Sequence, residues 1–226
     1  MVDLTLYGDI DGSRTWWVAW MCRELGIEFQ NPHSEGFLHP FWKTPEYLAI
    51  NPSGLMPSIR DGDFVLWESM AINLYLAKKY GRGGLCPRTL EGEALAWQWS
   101  FWAIIRLEVP FLVVAASNAN HGPDSQLERY FLKHVPMWTP EEVARSRAVL
   151  NGPLEVLNNK VATSPYILGA EFSVADLNIA MIMSRNFFAK ISLSGKPDLV
   201  DWLHRCWSRP ACPRKETLMK GLDGMR

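Results

Sequence analysis

The chain has 226 residues, with 23 Lys and Arg against 24 Asp and Glu, a formal net charge of −1. That balance argues against a nucleic-acid binder working through bulk positive charge. Apolar residues at 48% and charged residues at 21% exclude a disordered chain, and the length suggests one or two globular domains. Leu4 and Leu6 alternate with polar neighbours and predict a short strand ending near Tyr7. Gly8 to Ser13 is rich in turn residues. Trp17, Val18, Met21 and Leu25 then form a helical stripe closed by Gly26. Ile27 and Phe29 alternate as a second strand, and a patternless stretch with Pro32, Gly36, Pro40 and Pro45 follows. Ser58–Arg60 and Phe64–Trp67 flank Asp61-Gly62, a strong hairpin signal. Ser69 is placed to cap a helix carrying Ile72, Leu74, Tyr75 and Leu76 and stopping at Gly81.

After residues 81–84, Gly-Arg-Gly-Gly, only helical periods remain, so the expected domains are 1–82 and 88–226. Trp99, Trp102 and Arg106 share one face of a helix that Pro110 should kink or end. Thr139-Pro140-Glu141-Glu142 reads as a capping box with proline at the first helical position. Leu150, Leu154, Leu157 and Val161 continue that helix. Ser173-Val174-Ala175-Asp176 reads as a second box, and Leu199, Trp202, Leu203 and Cys206 form a last stripe before Pro210. Residues 1–6 lack the charged start and apolar run of a signal peptide, and no run of about 18 apolar residues occurs. Cys22, Cys86, Cys206 and Cys212 form no Cys-x-x-Cys pair. The expectation is a cytoplasmic protein with reduced thiols, no metal site and no membrane segment.

Ser69 sits where the hairpin hands over to a helix, whose first-turn N–H groups attract a carboxylate. Glu68 beside it can pair with an ammonium. Together they suit the amino-acid end of a γ-glutamyl peptide. Read alone, the pair also fits an ordinary N-cap and a surface charge. The block Asn51-Pro52-Ser53-Gly54-Leu55-Met56-Pro57, the Asp61-Gly62 hairpin and Trp67-Glu68-Ser69-Met70-Ala71-Ile72 resembles the glutathione-binding core of cytosolic glutathione transferases. The resemblance covers nearly the whole chain. It implies an α/β thioredoxin-like N-terminal domain, an all-α C-terminal helical domain, glutathione as co-substrate and a homodimer.

The same resemblance assigns roles residue by residue. Pro57 matches a cis proline that exposes the backbone of the preceding residue, here Met56, to the cysteinyl part of glutathione. The family stabilises the glutathione thiolate with a hydroxyl near the end of the first strand or just after it. Ser13 is the residue chosen, with Tyr7 and Thr15 as the other candidates. Where many relatives carry a His or Lys some nine residues before the Asn-Pro pair, this chain has Trp42 and then Lys43. Lys43 either anchors the glycine carboxylate or lies on solvated surface, and Trp42 is placed to wall the tripeptide. Trp99, Trp102 and Arg106 suit a flat electrophile with an anionic group, and the same stripe suits core packing. The implied reaction is attack of the bound thiolate on an apolar or aromatic electrophile. Glutathione-dependent isomerisation, ether or halide cleavage, and a non-catalytic glutathione-binding module are the alternatives.

Overall fold

A computed structural model of the chain describes residues 3–11, 14–32, 41–81, 84–119 and 138–225. The chain divides into two units, Met1–Cys86 with Ala211–Pro213, and Pro87–Pro210 with Arg214–Arg226.

In the first unit, β1 (Leu4–Tyr7) leads to α1 (Thr15–Leu25), a 3-10 turn at Phe41–Lys43 and α2 (Pro45–Leu48). Next come β2 (Ser58–Asp61), β3 (Phe64–Trp67) and α3 (Ser69–Tyr80). The three strands pair antiparallel in the order β1-β2-β3. Gly62, at φ 60°, supplies the left-handed backbone that the β2–β3 hairpin needs. Alternation along the strands turns Leu4, Leu6 and Ile59 to one face, where they are buried, and α1 and α3 pack together there. The expected second strand at Ile27–Phe29 shrinks to one parallel bridge, Thr5 to Gln30. Two ladder bonds survive, Leu6 N–H to Gln30 O at 2.8 Å and Gln30 N–H to Leu4 O at 2.9 Å. Two apolar residues in alternation are too few to carry a longer ladder.

The second unit is helical among its described residues. It contains α4 (Leu90–Ala103), a π turn at Ile104–Glu108, α5 (Val109–Ala119) and α6 (Pro140–Ala162). After these come α7 (Val174–Met183), α8 (Asn186–Ala189), α9 (Pro197–Trp207) and α10 (Lys215–Asp223). Every residue of α7 is buried, which makes it the centre of the unit. Asn178 of α7 donates to Ser100 Oγ of α4 at 2.9 Å, and Ser100 donates to Ala96 O at 2.8 Å. The α9 N-terminus is satisfied from a neighbouring helix, with Leu199 N–H donating to Asn158 Oδ1 of α6 at 3.1 Å. Both capping boxes form. Thr139 and Glu142 exchange bonds at 3.2 and 2.7 Å, and Asp176 accepts from Ser173 N–H at 3.0 Å.

Pro110 does not end its helix. Helical structure runs from Leu90 through Pro110 to Ala119. The π turn ends two residues before the proline and includes Arg106, whose carbonyl a regular α-helix would bring against the proline ring. By length and composition the Leu90–Asn118 run is the one helix among the described residues that could cross a membrane. In this unit, Ala96, Ser100, Ala103 and Leu107 along it are buried in packing.

Candidate functional site

Strand register gathers the motif segments at one end of the sheet. Ser58 pairs with Tyr7 on one side and with Trp67 on the other. Met56-Pro57 lies just before Ser58, Gly8 just after Tyr7, and Glu68-Ser69 just after Trp67. The three segments that carry the binding and activation candidates therefore leave the sheet side by side.

At the start of α3 the structure corrects one expectation. Glu68, not Ser69, occupies the N-cap position, and Ser69 is the first helical residue. Glu68 holds φ 74° and ψ 111°, backbone that a non-glycine residue rarely adopts. Its side chain is exposed. The Ser69 hydroxyl is buried and has no hydrogen-bond partner among the described residues. A capping serine would have spent that hydroxyl on the helix. Here it stays available, together with the first-turn N–H groups, for an oxygen anion.

The preceding loop is held from behind. The Met56–Pro57 bond is cis. The Asn51 carbonyl accepts from Gly54 N–H at 2.9 Å, and Asn51 Oδ1 accepts from Ser53 N–H at 3.0 Å, making a tight turn. Gly54 takes φ 57°, and a Cβ there would lie 3.1 Å from both Leu48 Cδ2 and the Trp42 carbonyl. Asn51 Nδ2 and the Tyr47 hydroxyl both donate to the Leu55 carbonyl, at 2.8 and 2.6 Å. The N–H and C=O of Met56 itself take no backbone partner among the described residues. They form an open edge of the kind an extended peptide can pair with.

Lys43 ends the 3-10 turn, and its ammonium donates to Gly54 O at 3.2 Å. That fixes a positive charge beside the 54–57 segment. Trp42 is buried, so it serves as core and not as a wall around a ligand.

Of the candidate hydroxyls, Ser13 lies outside the described residues. Thr15 is fully buried, its hydroxyl filling the space where a Cβ on Gly8 would stand. Tyr7 turns to the face opposite Leu6. There its ring meets Tyr47 edge-on at 6.2 Å and its hydroxyl accepts from Arg60 at 3.5 Å. Asn31 was not legible from sequence. Its amide donates to Leu6 O at 2.7 Å and Gly8 O at 3.0 Å, clamping the root of the 8–14 loop across 23 to 25 residues. Tyr47 was missed for a similar reason. It sits in a segment without hydrophobic period, and only its polar tip next to an Asn-Pro turn hinted at a role.

On α4, Trp99 and Trp102 are half-buried and meet edge-to-face at 5.1 Å, while Arg106 is exposed. This flank is separate from the core face of the same helix.

The sequence model for the glutathione S-transferase N-terminal domain matches residues 2–78, and that for the C-terminal domain matches residues 124–210. Glutathione S-transferase GstB of Escherichia coli (strain K12) is 31% identical over 175 residues, covering 74% of this chain and 75% of the relative. Glutathione S-transferase F11 of Arabidopsis thaliana is 31% identical over 218 residues, 91% and 94% of the two chains. The glutathione-bound theta-class enzyme of Xanthomonas axonopodis pv. citri superposes with a TM-score of 0.77 at 26% identity, covering 95% of this chain and 97% of that one. With both domains matched and these relatives aligned over most of their length, the chain belongs to the glutathione S-transferase family.

Proposed function

We propose that the chain is a glutathione transferase whose first unit binds glutathione along Met56-Pro57 and Glu68-Ser69. The observation that carries this reading is the buried, unpartnered Ser69 hydroxyl at the start of α3. A hydroxyl left without a partner in a native interior costs about 1–3 kcal/mol, which a bound carboxylate would recover. The γ-glutamyl carboxylate goes to Ser69 and the first-turn N–H groups, and its ammonium to Glu68. The cysteinyl backbone pairs with Met56. Lys43, already directed at Gly54 O, is the group nearest in sequence to serve the glycine carboxylate.

Ser13 is our choice as thiolate stabiliser. Two observations on the other candidates support it: the Thr15 hydroxyl is packed against Gly8, and the Tyr7 ring lies against Tyr47. A donor to the ionised sulfur lowers the thiol pKa and acts most strongly on charge in the transition state. The thiolate then attacks an electrophilic carbon, the sulfur–carbon bond forms, and a leaving group departs or a double bond takes up a proton. Trp99, Trp102 and Arg106 are proposed to receive the electrophile, as half-buried aromatic surface followed by an exposed cation along the same helical run.

The exposed apolar row Trp97, Phe101, Ile105 and Val109 on α4 and its continuation supports a homodimer. The four cysteines stand as thiols, which suits a reducing compartment, and we extend the proposal to a cytoplasmic setting.

Calorimetry with glutathione tests the binding site, coupled to mass spectrometry of adducts formed from a panel of electrophiles. Each hydrogen bond to a charged group is worth about 1.5–3 kcal/mol, so Ser69→Ala and Glu68→Gln should each weaken glutathione roughly tenfold or more. Unchanged affinity in both variants would remove the assignment.

A further inference from the structure

Tyr47 lies on the four-residue helix α2 and is not among the residues proposed to touch glutathione. Its hydroxyl meets two residues that bracket the Met56–Pro57 bond. A carbonyl can only accept, so the phenolic hydrogen goes to Leu55 O at 2.6 Å. The Ser58 hydroxyl must then be the donor in its 2.8 Å bond to the phenol oxygen. One oxygen atom thus ties the residue before Met56 to the residue after Pro57. Ser58 is fully buried and Tyr47 nearly so. Phe41 and Tyr7 meet the Tyr47 ring edge-on at 5.0 and 6.2 Å, which holds it in place. Thr44 caps α2 and accepts from Tyr47 N–H at 3.3 Å, so the backbone that carries the ring is fixed as well. Burial pushes the phenol above its ordinary pKa, against the hydrogen bonds from Ser58 and Asn51. The group therefore stays a neutral donor over the pH range in which a glutathione thiol ionises.

We propose that Tyr47 is a positioning residue for glutathione: through Leu55 O and Ser58 Oγ it sets the direction in which the Met56 N–H and C=O face the cysteinyl residue. This rests on the reading that the Met56 backbone pairs with that residue. Asn51 supplies a second bond to Leu55 O, but nothing on Asn51 reaches Ser58. Loss of the phenol oxygen should therefore loosen the segment without unfolding it.

The test compares two ligands by calorimetry on the full chain, the wild type against Tyr47→Phe and Ser58→Ala. One ligand is glutathione. The other carries an ester oxygen in place of the cysteinyl N–H, which deletes the bond to Met56 C=O. The wild type should bind the ester roughly tenfold more weakly than glutathione. Tyr47→Phe should bind glutathione about five- to tenfold more weakly and the ester by clearly less, since the ester has already lost the bond to Met56 C=O and keeps only the one to Met56 N–H, so that discrimination shrinks. Turnover at saturating glutathione should hold, because the altered contact serves binding. Ser58→Ala should move the same way, and it decides the matter if Tyr47→Phe fails to fold. Full discrimination retained in the variants, or equal weakening of both ligands, would overturn the role of Tyr47. A wild type that does not discriminate would overturn the Met56 reading beneath it.

Discussion

Asp61 closes β2 and takes three donors from one side of α3. Tyr75 donates at 3.0 Å, Lys79 at 2.8 Å and Tyr80 at 2.8 Å. Burial raises the carboxyl, but the bonds from Lys79, Tyr80 and Tyr75 outweigh it and hold its pKa below the ordinary value. A lowered carboxyl binds its proton more readily in the unfolded chain. Its stabilisation is therefore fully present above the unfolded pKa and is lost as pH falls through the folded one. Asp61→Asn should cost roughly 1–2 kcal/mol at pH 7, by urea denaturation, and the gap to wild type should narrow as pH falls below about 4 and close once pH has passed the lowered folded pKa. A gap of the same size on both sides of that pH window would show that the charge is not what stabilises the cluster. Asp61 was read from sequence as a turn residue only, because its partners lie 14 to 19 positions away. Glu68 and Ser69 were legible because hairpin and helix start are both local signals. The distinction between a capping and an unpartnered Ser69 was not, since it depends on the positive φ of Glu68.

Helices with strong local punctuation were the elements most legible in sequence. Gly26 ends α1 at φ 64°, Thr139 starts α6, and Pro210 follows α9. What the pattern could not show was competition between an element and its surroundings. Of the two outcomes expected at Pro110, a kink or a stop, the stop does not occur: a π turn at Ile104–Glu108 precedes the proline and the apolar helical run continues. Asp176 illustrates the opposite case, a local motif recruited into the core. Beyond its bonds to Ser173, it accepts from Ile167 N–H at 2.7 Å and Trp202 Nε1 at 2.9 Å. Burial pushes the carboxyl up, against the bonds from Ile167, Trp202 and Ser173 that favour its charge. The box joins the start of α7 to the 167 turn and to α9. Asp176→Ala strands these donors in the interior and should destabilise the helical unit by about 3 kcal/mol or more. Urea unfolding followed by Trp fluorescence measures it. A loss under about 1 kcal/mol would reduce Asp176 to an ordinary cap.

At the scale of the molecule, α4 and its continuation present three faces. Ala96, Ser100, Ala103 and Leu107 are buried in the helical unit, and Trp99, Trp102 and Arg106 form one flank. The remaining face carries Trp97, Phe101, Ile105 and Val109, exposed by 44%, 56%, 66% and 55%. Four large apolar side chains at successive four-residue steps form one continuous strip, where scattered exposure would need no explanation. The sequence holds eleven Trp, and hydrophobic pattern alone does not say which of them face outward. A second copy of the chain is the occupant we propose, because a two-fold axis lets one strip serve both partners and each covers the other's apolar area. A stable dimer needs about 800 Å² from each partner, so the strip would form the core of a wider contact. Charge at its centre should break the contact while leaving the buried face of the helix intact. Sedimentation equilibrium at micromolar concentration should give twice the chain mass of 25.8 kDa for the wild type. Phe101→Glu and Ile105→Glu should each shift the population toward a single chain, with about tenfold or greater weakening for a charge buried without a partner. Glutathione affinity in those variants should stay near wild type, since neither residue belongs to the Met56 or Ser69 segments. A wild type that sediments as one 25.8 kDa chain at that concentration would end the dimer proposal.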